Sequence, residues 1–511
     1  MISFLYGECV NMDKKYQELT EILNEVADLD HASALLGWDQ QTYMPAGGIE
    51  ARGYQLSTLR KNSHMKFTSS KVGDLLCDLQ KSLDDLDPDS DEVRLLKVTQ
   101  REYEKQIKVP AEMVAEFSRV TSLAQQAWQE ARKENNFRKF QPHLEKVMDL
   151  RRKYADLFSP YDHIYDPLLD DFEPGLKTKE VQDIFSTLRS RQVALVKAIK
   201  EQPQIDDSFL LQEYDLQAQW DFGSEVITKF GYDWKHGRMD KAAHPFTTSF
   251  GMDDVRITTR VFLNDIASGL SSTMHESGHA LYDLGINHEY DRTPLGEASS
   301  LAIHESQSRM WENLVGKSLP FWEYFYPRLQ DRFPKQLKEI QLEKFYKGIN
   351  KVEPSLIRVD ADEATYNLHI MLRLELEIAL MEGSLLVKDL PDAWNASMEE
   401  YLGIIPPSDA DGVLQDIHWS AGLVGYFSTY ALGNIISVQL WERILQDIPD
   451  LYEQFREGEF SALLQWLRDH IHVYGAKYEP QELVLKATGS KIDPDPYMRY
   501  LEKKYKEIYD F

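Results

Sequence analysis

The chain has 511 residues, of which 42% are hydrophobic and 11% aromatic, enough for a packed core and too many for a disordered protein. A formal net charge of -27 repels phosphate backbones, so nucleic acid is excluded as the natural partner. Two cysteines, Cys9 and Cys77, cannot build a disulfide framework and fit a reducing cytoplasm, and no apolar run reaches the roughly 18 residues a membrane span needs.

Met1 to Val10 is mildly apolar without a basic flank, so no signal peptide is expected. Residues 1–11 read as an extension, and residues 12–511 as a single catalytic domain. From Tyr16, apolar residues at Leu19, Ile22, Leu23, Val26, Leu29, Ala32 and Leu35 keep helical spacing. Gly37 to Gly48 is expected to break that helix into an irregular segment. Residues 73–109 repeat the helical pattern, Pro110 opens a helix to about Asn136, and another runs from Pro142 to Phe158. After a Pro- and Asp-rich loop, Thr178 is expected to cap a helix that continues to Lys200.

Residues 244–250 and 255–261 are rich in β-branched residues and alternate polar with apolar, which predicts two short strands. Beyond Gly316 the chain is helical again, including Thr365 to Met381 and residues 428–447 and 459–475. The periodicity alone predicts a large, mainly α protein with a little β.

The stretch 269–316 carries the chemistry. Leu270, Met274, Leu281 and Leu284 recur at helical steps up to Gly285, the expected glycine stop, and the helix holds His275, Glu276 and His279 in the order H-E-S-G-H. Histidines at i and i+4 share one helix face, so two neutral imidazoles can converge on one cation. Glu276 beside them is placed to take a proton from the water that a bound metal acidifies. A catalytic site needs a third protein ligand and one open position. Glu305 is chosen, on a second apolar-periodic segment from Leu301 to Val315 ended by Gly316. Its neighbour His304 points about 100° away on a helix and cannot share Glu305's direction. A chain with 14 histidines shows an H-E-x-x-H string by chance only rarely, and the bland reading is two surface histidines on an ordinary helix.

Further motifs stand in order along the chain. They are W-D-Q-Q-T-Y-M-P from Trp38, H-P-F from His244, D-V-R-I-T from Asp254, H-E-S-Q from His304, I-R-V-D-A-D from Ile357, G-V-L-Q-D-I-H-W from Gly412 and G-Y-F-S-T-Y from Gly425. With H-E-S-G-H, this set resembles the carboxypeptidase Taq family of metallopeptidases over nearly the whole length. One departure is Ser428, where the family usually has proline, which bears on the local geometry around Tyr430.

The resemblance implies a mainly helical, two-lobed metallopeptidase with a deep central cleft and a small β-sheet beside the zinc helix. It implies Zn2+ as cofactor, with Co2+ a possible substitute, and a cytoplasmic homodimer with no membrane partner. The implied activity is hydrolysis of the C-terminal peptide bond with broad specificity, on peptides with a free carboxylate. In that family reading Tyr430, Tyr426 and His418 are donors to the developing oxyanion, and Arg358 takes the substrate carboxylate, which suits the planar fork of arginine. By sequence alone, the tyrosines read equally as core aromatics and Arg358 as the partner of a nearby acid such as Asp360 or Asp362. His244 is expected on the substrate side, with Asp254, Arg256 and Asp416 near it or behind it; the two acids read equally as structural ion-pair partners. The alternatives are an oligopeptidase cutting internal bonds and a helical binding protein that retains the metal without turnover.

Overall fold

In the computed structural model, residues 2–81 and 86–511 are described, with side chains from residue 12 onward. The expected extension over residues 1–11 therefore lies outside the described side chains, and residues 82–85 of the expected helical run lie outside the described residues. No helix among the described residues is long and apolar enough to cross a membrane. The chain folds as two compact units, one of Met1–Lys108, Glu213–Ser299 and Gly458–Glu479, the other of Val109–Gln212, Ser300–Glu457 and Pro480–Phe511.

The first unit begins with helices α1 (Ile2–Thr42), α2 (Ile49–Phe67), α3 (Ser70–Gln80) and α4 (Asp91–Lys108). Helix α1 runs through Gly37 and Trp38, where a break was expected, and stops just before Pro45. A glycine inside a helix costs about 1 kcal/mol relative to alanine. Burial of Trp38, which packs edge-on against Phe250 and under the Arg256 guanidinium, outweighs that cost.

The first unit also holds α9 (Leu216–Phe230), α10 (Ile266–Asp283) and α19 (Ser461–His470), together with a sheet of β1 (Met239–Lys241), β2 (Thr247–Ser249) and β3 (Val255–Thr259). The strand order is β1-β3-β2, with β1 parallel and β2 antiparallel to β3. The two expected strands are present but shorter, and β1 was missed because Met239-Asp240-Lys241 shows no alternation to read.

The second unit is all helical. It holds α5 (Ala111–Lys133), α6 (Phe137–Asp156), α7 (Asp166–Asp170), α8 (Thr178–Lys200) and α11 (Leu301–Arg309). These are followed by α12 (Leu319–Arg332), α13 (Pro334–Leu337), α14 (Leu342–Ile349), α15 (Tyr366–Glu382), α16 (Leu390–Leu402), α17 (Ser428–Asp447), α18 (Leu451–Arg456), α20 (Pro480–Thr488) and α21 (Asp495–Tyr509). Pro110 precedes α5 as expected, whereas α6 starts before Pro142 and carries that proline inside it. Thr178 does not cap α8. It is the first helical residue, and its N–H and hydroxyl both donate to Asp166 Oδ1, at 2.8 and 2.6 Å.

Helix α10 starts on Asp265, whose carboxylate accepts the N–H groups of Ala267 and Ser268, a device the periodicity did not reveal. At its other end Gly285 follows the cap residue Leu284, and it is absent from the glycines with positive φ. Glycine is required there by a close approach: a Cβ would lie 2.5 Å from Nδ1 of the fully buried His472. Gly285→Ala should therefore overpack this contact, cost about 1–3 kcal/mol and lower the thermal midpoint by a few degrees; an unchanged midpoint would show that His472 yields freely.

Candidate metal site and carboxylate pocket

On α10, His275 and His279 stand one turn apart with ring centroids 4.9 Å from each other, both half-buried. Between them in sequence, Glu276 is buried, and its Oε2 accepts the Thr247 hydroxyl at 2.7 Å. The same hydroxyl reaches the Glu276 carbonyl at 2.9 Å, so β2 fixes both the helix and the carboxylate. Sequence reasoning missed Thr247. It lies three residues after His244, inside a segment read only as a strand, and His244 itself is exposed.

In the other unit, α11 starts on Ser300, whose hydroxyl accepts Ile303 N–H at 3.1 Å, and the buried Glu173 carboxylate accepts Ala302 N–H at 2.6 Å. Burial raises Glu173 to about 8, against the opposing hydrogen bonds from Ser300 and Ala302. Glu305 is buried on this helix. Arg309 Nε donates to its Oε1 at 2.6 Å and the Ser308 hydroxyl to its Oε2 at 3.1 Å. Helix α17 packs so closely here that a Cβ on Gly433 would fall 2.6 Å from the Glu305 Cγ. The expected single helix to Val315 instead changes at Met310 into a π-helical turn, Met310–Val315.

The two imidazoles and the Glu305 carboxylate are candidate donors for a metal ion. As chemistry they fit a hydrolytic divalent cation: two neutral nitrogens at i and i+4 and one oxygen donor held by its own hydrogen bonds.

Arg358, Asp416, His418, Tyr426 and Tyr430 belong to the second unit, whereas Asp254 and Arg256 belong to the first. Arg358 does not pair with Asp360 or Asp362. Its Nε and Nη2 donate to Asp416 Oδ1 at 3.1 and 3.0 Å, and its Nη1 donates to the Tyr366 hydroxyl at 2.9 Å. The backbone N–H of Arg358 donates to Gln415 Oε1, and the guanidinium lies 4.9 Å from the Tyr430 ring centre. Burial pulls this guanidinium down, but Tyr366 and Asp416 more than offset it and hold it above its ordinary value. Asp416 goes the other way: burial raises it, and Arg373 and Arg358 prevail and hold it below the usual carboxylate range. Asp254 likewise has an ion-pair partner, Arg256, at 2.7 Å.

His418, Tyr426 and Tyr430 form one aromatic cluster, with His418 Nε2 3.4 Å from the Tyr430 oxygen and the two tyrosine rings 5.2 Å apart. Burial lowers His418 to about 4 and raises both phenols, so near neutral pH the imidazole is uncharged and the phenols keep their protons. Ser428, in place of the expected proline, is the first residue of α17; its hydroxyl donates to the Gly425 carbonyl at 3.3 Å and the helix starts normally.

The loop before this helix is pinned by Glu377, which periodicity marked only as a core helix position. Its carboxylate accepts the Tyr165 hydroxyl at 2.5 Å, Trp419 Nε1 at 2.7 Å and Gly425 N–H at 3.0 Å.

Residues 18–505 match the family described as carboxypeptidase Taq (M32) metallopeptidase. The chain is 41% identical to thermostable carboxypeptidase 1 of Thermus thermophilus, covering 97% of this chain and 99% of that protein. It is 35% identical to carboxypeptidase 1 of Bacillus subtilis, covering 96% and 98%. Among solved structures, the M32 carboxypeptidase from Deinococcus radiodurans R1 superposes with a TM-score of 0.95 at 41% identity, over 98% of this chain and all of that one.

Two consequences can be measured. Thr247→Val removes a hydrogen bond to a carboxylate, worth about 1.5–3 kcal/mol, and should lower kcat at least roughly tenfold with metal content unchanged; a parallel loss of metal would make Thr247 a strut of α10 instead. Burial raises Glu377 to about 7, outweighing the hydrogen bonds from Tyr165, Gly425 and Trp419. The unfolded chain releases this proton at its ordinary, lower pKa, so the stability it contributes is present below that value and is lost as pH rises to about 7. Glu377→Gln should therefore shrink the fall in urea midpoint between pH 5 and pH 8, and an unaltered difference would refute this assignment.

The family match across nearly the whole chain, on a fold that presents H-E-S-G-H from α10 and Glu305 from α11, shows that the chain belongs to the carboxypeptidase Taq (M32) metallopeptidases and is a metallocarboxypeptidase.

Proposed function

We propose that this chain removes C-terminal residues from peptides with His275, His279 and Glu305 holding a zinc ion, for which cobalt can substitute, and Glu276 acting as general base. When bound, such a cation acidifies water and polarises a peptide carbonyl. Glu276, oriented by Thr247, accepts the proton of the attacking water and returns it to the leaving amine. Tyr430 and Tyr426, which keep their protons, donate to the oxygen that becomes negative, and neutral His418 supports Tyr430.

The observation that carries the exopeptidase reading is Arg358. A guanidinium has five N–H groups, and three of them are committed to Asp416 and Tyr366, which leaves two for a ligand. A fixed, partly committed arginine beside half-buried tyrosines suits a planar carboxylate such as a peptide C-terminus. His244, exposed ahead of β2, belongs to the substrate side in this reading. The same proposal takes residues 12–511 as one catalytic domain in two lobes and the protein as a cytoplasmic homodimer; the family resemblance supports these, and the scarcity of cysteine supports the compartment.

The test is a free-acid peptide compared with its C-terminal amide. The metal-loaded protein should release single residues from the free acid, and the amide or a chelator should stop it. Arg358→Ala should lower kcat/KM on the free acid roughly a hundredfold or more, since removing one partner of a buried charge pair costs about 2–5 kcal/mol, with metal affinity unchanged. Glu276→Gln should abolish turnover with metal retained. Cleavage of the amide as fast as the acid would favour internal cutting, and unchanged kinetics in Arg358→Ala would remove that residue from the site.

A further inference from the structure

The Arg358 pocket contains a second arginine that the motifs do not include. Arg373 on α15 is fully buried; its Nε donates to Asp416 Oδ2 at 2.7 Å, its Nη2 to Gln415 Oε1 at 2.8 Å and its Nη1 to the His369 carbonyl at 2.6 Å. Asp416 is thus divided, with Oδ1 accepting from Arg358 and Oδ2 from Arg373. Gln415 is divided in the same manner, its one oxygen accepting the Arg358 backbone N–H and the Arg373 side chain.

We infer that Arg373 is a specificity-determining residue that never touches substrate: by occupying half of Asp416, it leaves the Arg358 pocket with one uncompensated positive charge that a ligand carboxylate neutralises.

The count involves two guanidiniums and one carboxylate. Asp416 is the only carboxylate hydrogen-bonded to either arginine among the described residues. The histidines and tyrosines beside the two guanidiniums do not change the sum, and Arg309, over the Tyr366 ring, has its own carboxylate partners in Glu305 and Glu312. His369 is fully buried, and burial, then Arg373 and Arg358, keep it neutral. His418 is neutral near pH 7 for a similar reason, though Asp416 opposes it. The Tyr366 hydroxyl accepts from Arg358, and Tyr430 presents its ring. A buried charge without a partner is costly, so a site that maintains one gains when an anion enters. Without Arg373, Asp416 would serve Arg358 alone, the pair would be neutral, and the ligand would have to compete with an internal carboxylate for the same guanidinium.

This inference rests on the reading of Arg358 as the carboxylate receptor, and the experiment separates the two. KM and kcat would be measured on a free-acid peptide for Arg358→Ala, Arg373→Met, Arg373→Lys and the double variant Arg373→Met with Asp416→Asn, each checked for folding by thermal unfolding. Arg373→Met should raise KM at least tenfold with kcat within threefold, and Arg373→Lys, which keeps the charge, should stay within threefold of wild type in both. The double variant restores the positive charge on Arg358 and should recover part of the lost KM, whereas purely structural damage would be additive or worse. If Arg358→Ala raises KM but Arg373→Met does not, this inference fails and the receptor assignment stands; if Arg358→Ala leaves KM unchanged, the receptor assignment itself fails. Should Arg373→Met not fold, Arg373→Lys decides: a tenfold rise in KM in that folded variant would overturn the role of charge.

Discussion

A carboxylate withdrawn from water must be held by donors, and in this protein that requirement shapes the neighbourhood of every candidate functional group. Glu276 is held by Thr247, Glu305 by Ser308 and Arg309, Asp416 by Arg358 and Arg373, and Glu377 by Tyr165, Trp419 and Gly425. The donors to Glu305 lie on its own helix α11, but those to Glu276, Asp416 and Glu377 come from other segments, so satisfying each of these three acids fixes the relative placement of two or three segments. The short strand β2 is explained this way: three residues contribute little pairing energy, but Thr247 aligns a carboxylate on the helix that bears both histidines.

The same requirement separates the acids by role. Asp416 meets two guanidiniums and stays ionised, whereas Glu173 and Glu377 meet mainly neutral donors and are pushed up to about 8 and about 7. An acid that stays charged can set the electrostatics of a pocket. One that is protonated near neutral pH serves to tie backbone and side chains together with little field of its own.

What was legible in the sequence follows the same division. H-E-S-G-H could be read because i and i+4 is a local relation, and α17 was bounded correctly at residues 428–447 because its apolar spacing is uninterrupted. Local rules misjudged Gly37, where a glycine signal was overridden by the burial of Trp38; they placed the end of α10 at Gly285 correctly but not the reason for the glycine, which is to admit His472. The π-helical turn after Arg309 escaped detection because its apolar residues still satisfy an approximate helical period. Thr247, Arg373, Glu377 and Gly433 were illegible for a further reason: their partners are 29, 43, 48 and more than 100 positions away, and no spacing rule connects them. Arg358 shows the limit from the other side. Its nearest acids in sequence, Asp360 and Asp362, were plausible partners, yet the pairing goes to Asp416 while Asp362 accepts from Thr365.

Helix α17 connects these observations. Tyr430 and Gly433 are three residues apart and so share one face of it. The first lies beside His418 and Arg358, and the second is stripped to hydrogen so that the Glu305 side chain can lie against the helix. A carboxylate proposed to hold the metal and a phenol proposed to meet the developing negative charge are thereby indexed to one rigid element, about one turn apart. A loop could not keep that spacing to the tolerance the chemistry needs. This accounts for the start of α17 being so heavily secured, by Glu377 on Gly425 and by Ser428 on the Gly425 carbonyl, since any slip at its first turn would move both groups together.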